Sequence, residues 1–151
     1  MIENKEIIQL AEKFCNSIPF NLHIGLHFSR LDVEACEVNF DFKPELVGNF
    51  VQGILHGGVI SSAMDVAGGA MAAMGVLQRN QNASLEELQE RFAKLGTIDL
   101  RVDFLRPGRG KSFVASATVL RSGNKVSVTR MELHNEENVL IAVGTGTYLV
   151  G

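Results

Sequence analysis

The chain has only two cysteines in 151 residues, Cys15 and Cys36. Two are too few for a disulfide framework, and neither has a partner at metal-ligand or redox spacing. Histidine does not make up for this. His56 has no second ligand three or four residues away, and His23, His27 and His134 form no motif. Metal-dependent and thiol-dependent mechanisms therefore rank low, and no cofactor is expected. Positive charge is in short supply as well: 14 Lys and Arg against 17 Asp and Glu leave a net charge of −3, which argues against a nucleic-acid partner. Internal repeats and low-complexity tracts are missing. The first residues, M-I-E-N-K-E-I-I-Q, are too polar for a signal peptide, so the expected location is cytoplasmic.

What is present describes one ordinary globular domain, 1–151, long enough to bury a core without staples. The charge is unevenly spread. Residues 101–130 carry Arg101, Arg106, Arg109, Lys111, Arg121, Lys125 and Arg130 against one acid, Asp103. Such a segment suits either a solvated sheet face or a phosphorylated small molecule.

The stretch from Leu55 to Leu77, L-H-G-G-V-I-S-S-A-M-D-V-A-G-G-A-M-A-A-M-G-V-L, is apolar on every side past His56, and its one charge is Asp65. An all-round apolar helix is a buried one. Its length would also suit a membrane span. A lone mid-helix carboxylate and the many glycines favour a soluble core helix instead, so no membrane association is expected.

Around it the chain alternates simple elements. Residues 3–17 read as an amphipathic helix that Pro19 ends. His23 to Val33 reads as a strand whose phase slips near Ser29–Arg30, as at a bulge. Cys36, Val38, Phe40 and Phe42 alternate with polar residues as in a half-buried strand, and Pro44 ends it. A loop with Gly48, Asn49, Gln52 and Gly53 leads into the central helix. Beyond that helix, Ser84 and Glu87 have capping-box spacing ahead of Leu85, Leu88, Phe92 and Leu95, a short amphipathic helix. It suits a surface helix better than a lid, since its spacing signals only one buried face. Four strands follow, over residues 98–104, 113–120, 126–133 and 139–150, with turns at Arg106-Pro107-Gly108, Ser122-Gly123-Asn124 and Asn135–Asn138. The order predicts an α+β fold, an antiparallel sheet curled round one long helix.

Two features of that helix carry chemistry. His56-Gly57-Gly58 stands at its start, where free N–H groups and the positive end of the helix dipole collect, and glycines let a ligand atom approach. A thioester carbonyl oxygen fits such a place, as does a plain tight turn. Asp65 is the acid; if it were merely structural, a hidden arginine or backbone donors would have to satisfy it. Gly58 and Asp65 are separated by about 10 Å of helix, too far for both to serve one carbonyl within one chain. If both act together, the acid comes from a second subunit, and the expected assembly is a homodimer with shared sites.

H-G-G-V-I-S-S-A-M-D-V-A-G-G, followed some thirty residues later by T-I-D-L-R-V-D-F-L-R-P-G, resembles the hotdog-fold acyl-CoA thioesterases of the PaaI-like branch, over roughly Pro19 to Val150. The resemblance implies a hotdog fold, a curled antiparallel sheet wrapped round the long helix, assembled as dimers that often pair into tetramers. It implies hydrolysis of an acyl-CoA thioester to a free acid and CoA. Asp65 falls at the catalytic acid, acting as base on water or as nucleophile. Gly57 and Gly58 match the backbone donors to the thioester oxygen, with His56 beside them. Thr97 falls where relatives place a hydroxyl residue that helps position the water. Asn49 resembles the loop asparagine near the thioester, although it stands seven residues before His56 where some relatives have six; Gln52 is the alternative. Arg106-Pro107-Gly108 resembles a region near the nucleotide of CoA. The segment 78–96 is longer than in minimal members and is a candidate wall of the acyl pocket. A non-catalytic acyl-CoA or acyl-carrier binding module on the same fold remains the alternative. A hydratase ranks third, for want of a paired histidine and acid.

Overall fold

The computed structural model describes residues 4–151. The first amphipathic segment forms helix α1, Asn4–Asn16. Pro19 does more than end it. It starts a second short helix, α2, Pro19–Ile24, which Gly25 closes with φ +85°. Proline suits the first turn because its missing N–H would have no partner there, and glycine suits the left-handed cap. The strand expected from His23 is therefore shorter: β1 is His27–Leu31, with a register shift between Phe28 and Arg30 where the phase slip predicted a bulge.

β2, Cys36–Asp41, buries Cys36, Val38 and Phe40 as its alternation requires. The loop after Pro44 contains more structure than its composition suggests. A 3-10 turn at Pro44–Leu46 leads into a small hairpin of β3, Val47–Asn49, and β4, Ile54–Leu55. The central helix α3 runs Gly57–Arg79. Its C-terminus is clasped by Arg79, which donates to Ser122 O at 2.7 Å and Asn124 Oδ1 at 2.9 Å. Helix α4, Leu85–Ala93, has the full capping box: Glu87 N donates to Ser84 Oγ, and Ser84 N to Glu87 Oε2. Leu88 anchors α4 in the core, and Phe92 and Leu95 pack against it.

The last four strands are β5, Gly96–Phe104, β6, Ser112–Ser122, β7, Val126–Asn135, and β8, Leu140–Leu149. With β1 and β2 they form one antiparallel sheet in the order β1-β2-β6-β7-β8-β5. β2 and β5 to β8 all pack against α3. The helix is long and apolar enough to cross a bilayer, but the fold itself buries 67% of its most apolar window. Small residues on both sides allow the close approach. Facing α3, β8 presents Ala142, Gly144 and Gly146, and a Cβ on Gly144 would fall 2.9 Å from Met64 Cε. Phe40 of β2 stacks on its cross-strand neighbour Phe113, ring centroids 5.1 Å apart, filling the other end of the core. A long helix against a large antiparallel sheet is the α+β architecture expected from the order of elements, and the hotdog fold that the resemblance implies.

Candidate active site

Asp65 lies half-buried on the sheet-facing side of α3, and no cation neutralises it among the described residues. Two hydroxyls hold it instead. Thr97 Oγ1 of β5 donates to Oδ1 at 2.9 Å, and the phenol of Tyr148 on β8 lies 3.1 Å from the same oxygen and 3.2 Å from the Asp65 carbonyl. Thr97 is delivered by a register irregularity in β5 between Thr97 and Asp99, a kind of bulge that re-aims a side chain. Of the described residues none donates to Oδ2 of Asp65.

His56 is the N-cap of α3, in extended conformation, and its Nδ1 accepts from Gly58 N at 2.8 Å. The cap narrows the expected donor pair. The N–H of Gly58 is used by the imidazole, whereas that of Gly57 has no acceptor among the described residues. An imidazole accepting at Nδ1 carries its proton on Nε2, which makes His56 a second donor at this end of the helix. Gly48 lets the imidazole sit there: a Cβ on Gly48 would lie 2.6 Å from His56 Cα. His56 N donates to Leu46 O at 2.8 Å, fixing the approach to the helix.

An open depression of about 530 Å³ lies against this helix start, lined by Gly48, Asn49, Phe50, Leu55, His56 and Gly57. Of the two loop amides, Asn49 is the one that lines the depression. Its Oδ1 accepts from the N–H groups of Val51 at 3.1 Å and Gln52 at 3.2 Å, and its side-chain NH2 has no acceptor among the described residues. Gln52 is engaged elsewhere, its Oε1 and carbonyl accepting from Arg109 at 2.9 and 3.1 Å.

The Arg106-Pro107-Gly108 turn lies outside the lining of the depression. Arg106 is exposed and donates to Leu140 O at 2.8 Å. Pro107 O accepts from Arg109 N. Gly108 is buried beneath Leu55, whose N–H donates to its carbonyl at 3.1 Å, so this glycine supports the strand that leads into α3. Both cysteines are held as thiols. Burial, then Glu12, pushes Cys15 up to about 11, and burial pushes Cys36 up to about 12, its Sγ donating to Ala67 O.

The two halves of the site stand apart. Gly57 packs near Phe104, at the C-terminal end of β5; a Cβ on Gly57 would lie 3.3 Å from Phe104 Cε1. Asp65 is held by Thr97, at the N-terminal end of the same strand. About 12 Å of helix and about 23 Å of strand separate these ends. Sequence reading missed Tyr148, Gly48, Phe50 and the hold of Arg109 on Gln52. Only Tyr148 carried any signal, as the chain's single tyrosine.

A long helix cradled by one large antiparallel sheet is the hotdog class of fold. The thioesterase superfamily model matches residues 52–142, from the loop before α3 into β8, and the chain belongs to that superfamily as a thioester hydrolase. It is 49% identical to the medium/long-chain acyl-CoA thioesterase YigI of Escherichia coli strain K12, over 94% of this chain and 92% of that protein. The crystal structure of a Shewanella oneidensis protein related to the thioesterase superfamily superposes with a TM-score of 0.95 at 48% identity, covering 97% of each chain. A thioesterase from Haemophilus influenzae shares the fold at 20% identity, with a TM-score of 0.72 over 99% of this chain and 90% of its own.

Proposed function

We propose that the protein hydrolyses medium- to long-chain acyl-CoA thioesters, with Asp65 acting on water and the start of α3 binding the thioester oxygen. The observation that carries this reading is the carboxylate of Asp65, held through Oδ1 by two hydroxyls and paired with no cation among the described residues. Its other oxygen, Oδ2, has no donor among the described residues and is the one left to meet water. In the step proposed, Oδ2 takes a proton from water as the water oxygen bonds to the thioester carbon. The N–H of Gly57 and the imidazole N–H of His56 stabilise the oxyanion, and Asn49 NH2 contacts the thioester. The C–S bond then breaks, the proton passes to the departing CoA sulfur, and a free acid and CoA leave. The chain-length class is supported by the likeness to YigI.

The reading requires a homodimer. β5 is an edge strand with Ile98 and Phe104 exposed, a surface that calls for pairing or cover. Antiparallel pairing of β5 with a second β5 about a two-fold axis would bring the Thr97 end of each strand beside the Phe104 end of the other. Asp65 of one subunit would then meet Gly57 of its partner, and each dimer would have two complete sites. Pairing of dimers into a tetramer, a cytoplasmic location and the absence of nucleic-acid or membrane partners belong to the same proposal. In it, α4 is a surface helix.

The test is a hydrolysis panel of acyl-CoAs from short to long and aromatic, run on the wild type and on Asp65→Asn. Turnover should peak on medium or long chains. Asp65→Asn should fold and bind acyl-CoA while losing at least about a hundredfold in kcat. Binding without turnover in the wild type, or near wild-type turnover in Asp65→Asn, would overturn the reading.

A further inference from the structure

Tyr148 has no role in the mechanism so far, yet the fold makes unusual provision for it. The ring is buried, with 1% of its surface exposed. Glycines clear its path on two sides: a Cβ on Gly68 of α3 would collide with the phenol oxygen, and one on Gly146 of β8 would lie 2.5 Å from it. Thr129 of β7 also borders the slot, its Oγ1 2.8 Å from the place a Gly68 Cβ would take, and its hydroxyl donates to Met131 Sδ at 3.3 Å. A phenylalanine would fill this slot as well as a tyrosine does. What tyrosine adds is one buried hydroxyl, and a buried hydroxyl needs a partner. That partner is Asp65, through Oδ1 and the backbone carbonyl.

We propose that Tyr148 is a positioning residue for the Asp65 carboxylate. With Thr97 it occupies Oδ1, fixes the rotation of the carboxylate and leaves Oδ2 as the oxygen presented to water. The proposal rests on Asp65 being the catalytic acid. The two donors arrive from neighbouring strands, since Thr97 is the register partner of Tyr148 in the β5–β8 ladder, so the carboxylate is oriented by the sheet as well as by its own helix. Burial, then the charge of Asp65, raises the phenol well above its ordinary range, so it remains a donor wherever the enzyme works. A hydrogen bond to an ionised acceptor is stronger than one between neutral groups, which favours the carboxylate over the Asp65 carbonyl as acceptor.

The experiment compares Tyr148→Phe, Asp65→Asn and the double variant with wild type on one medium-chain acyl-CoA. Tyr148→Phe should lower kcat by roughly ten- to a hundredfold, the scale of a misplaced reacting group, with KM within about twofold. In the Asp65→Asn background the same change should cost nothing further, because the carboxylate it positions is gone. A merely structural tyrosine would lower the residual rate again. Loss of activity in Asp65→Asn with unchanged kcat in Tyr148→Phe overturns this proposal alone; near wild-type turnover in Asp65→Asn overturns the Asp65 reading beneath it.

Should Tyr148→Phe fail to fold, the wild-type chain still provides a test. Tyr148 is the single tyrosine, so 3-fluorotyrosine supplied during expression labels it alone. Binding of a non-hydrolysable acyl-CoA thioether should move the single 19F resonance in wild type and leave it nearly unmoved in Asp65→Asn. A resonance that ignores ligand in both overturns the proposal.

Discussion

Thr97 and Tyr148 stand opposite each other in the β5–β8 ladder, and both hydroxyls reach Oδ1 of Asp65, at 2.9 and 3.1 Å. Neighbouring strands thus hold the same oxygen of a helix residue. The arrangement depends on α3 lying close to β8, and that closeness depends on Gly68 and Gly146. The helix with its glycines, the phenol slot and the carboxylate form one mechanical unit, so under the proposed mechanism the small side chains of α3 serve function as well as packing.

Gly68→Ala tests that unit. The added methyl would meet the Tyr148 oxygen, Thr129 Oγ1 and Met131 Sδ in a core with no spare room. Overpacking of this kind costs about 1–3 kcal/mol. Denaturant unfolding should show that loss, and kcat should fall with it because the phenol is displaced from Asp65. Gly69→Ala is the control: its Cβ would meet only ring carbons of Tyr148, at 3.5 Å and beyond, an ordinary contact, so stability should change little. Equal losses in the two variants would mean that the slot does not discriminate.

The basic turn separates into two roles. Arg109 holds the 49–53 loop through Gln52, whereas Arg106, among the described residues, donates only to the Leu140 carbonyl. Arg109→Ala should therefore impair hydrolysis of acyl-CoA and of a short thioester without the nucleotide alike, because the Asn49 loop loosens for both. Arg106→Ala should raise KM for acyl-CoA alone, and the effect should shrink as salt is added. Steady-state kinetics on the two substrates at two ionic strengths distinguish these outcomes. Identical behaviour of the two variants would count against the division.

The pH dependence of stability has a specific contributor at the β7–β8 turn. Glu136 accepts from Lys111 N at 2.9 Å and from Ser112 N at 3.3 Å, and these backbone donors, Lys111 first, hold its carboxyl below the ordinary 4.5. A carboxyl depressed in the folded state adds stability above its unfolded value and loses it as pH falls through the folded one. Glu136→Gln should therefore be less stable than wild type above about pH 4.5, and the gap should close on acidification. Thermal melts across that range check the sign. A gap independent of pH would show that the charge of Glu136 is not what its backbone donors use.

Much of this was legible in the sequence, and what was not has physical reasons. α3 and its acid are plain because an apolar stretch from Leu55 to Leu77 with one charge has few other readings. β2 shows in strict alternation and α4 in its capping box, all signals within a few residues. Being the single tyrosine marks Tyr148 without giving it a role, because its partner is 83 residues away and alternation makes it only one more inward residue of β8. The loss of Gly58 as a free donor was hidden in the cap geometry of His56, since H-G-G alone does not say which N–H the imidazole takes. The end of α2 reads as strand from His23 onward because Ile24 and Leu26 fit a period of two as well as they fit the end of a helix turn. The 49–53 loop looked like two competing amides until Arg109 was seen to engage one of them.

The central claim is a site divided between subunits, and complementation tests it most directly. Asp65→Asn removes the acid, and Gly57→Pro removes the free N–H at the first position of α3, where proline is tolerated and the extended His56 precedes it comfortably. Each variant should fold and be nearly inactive by itself. Co-expressed, they should form mixed dimers in about half of all pairings, each with one site intact and one lacking both parts. Activity per subunit should then return to about a quarter of wild type. Verified mixed dimers that stay as inactive as either parent would contradict the account.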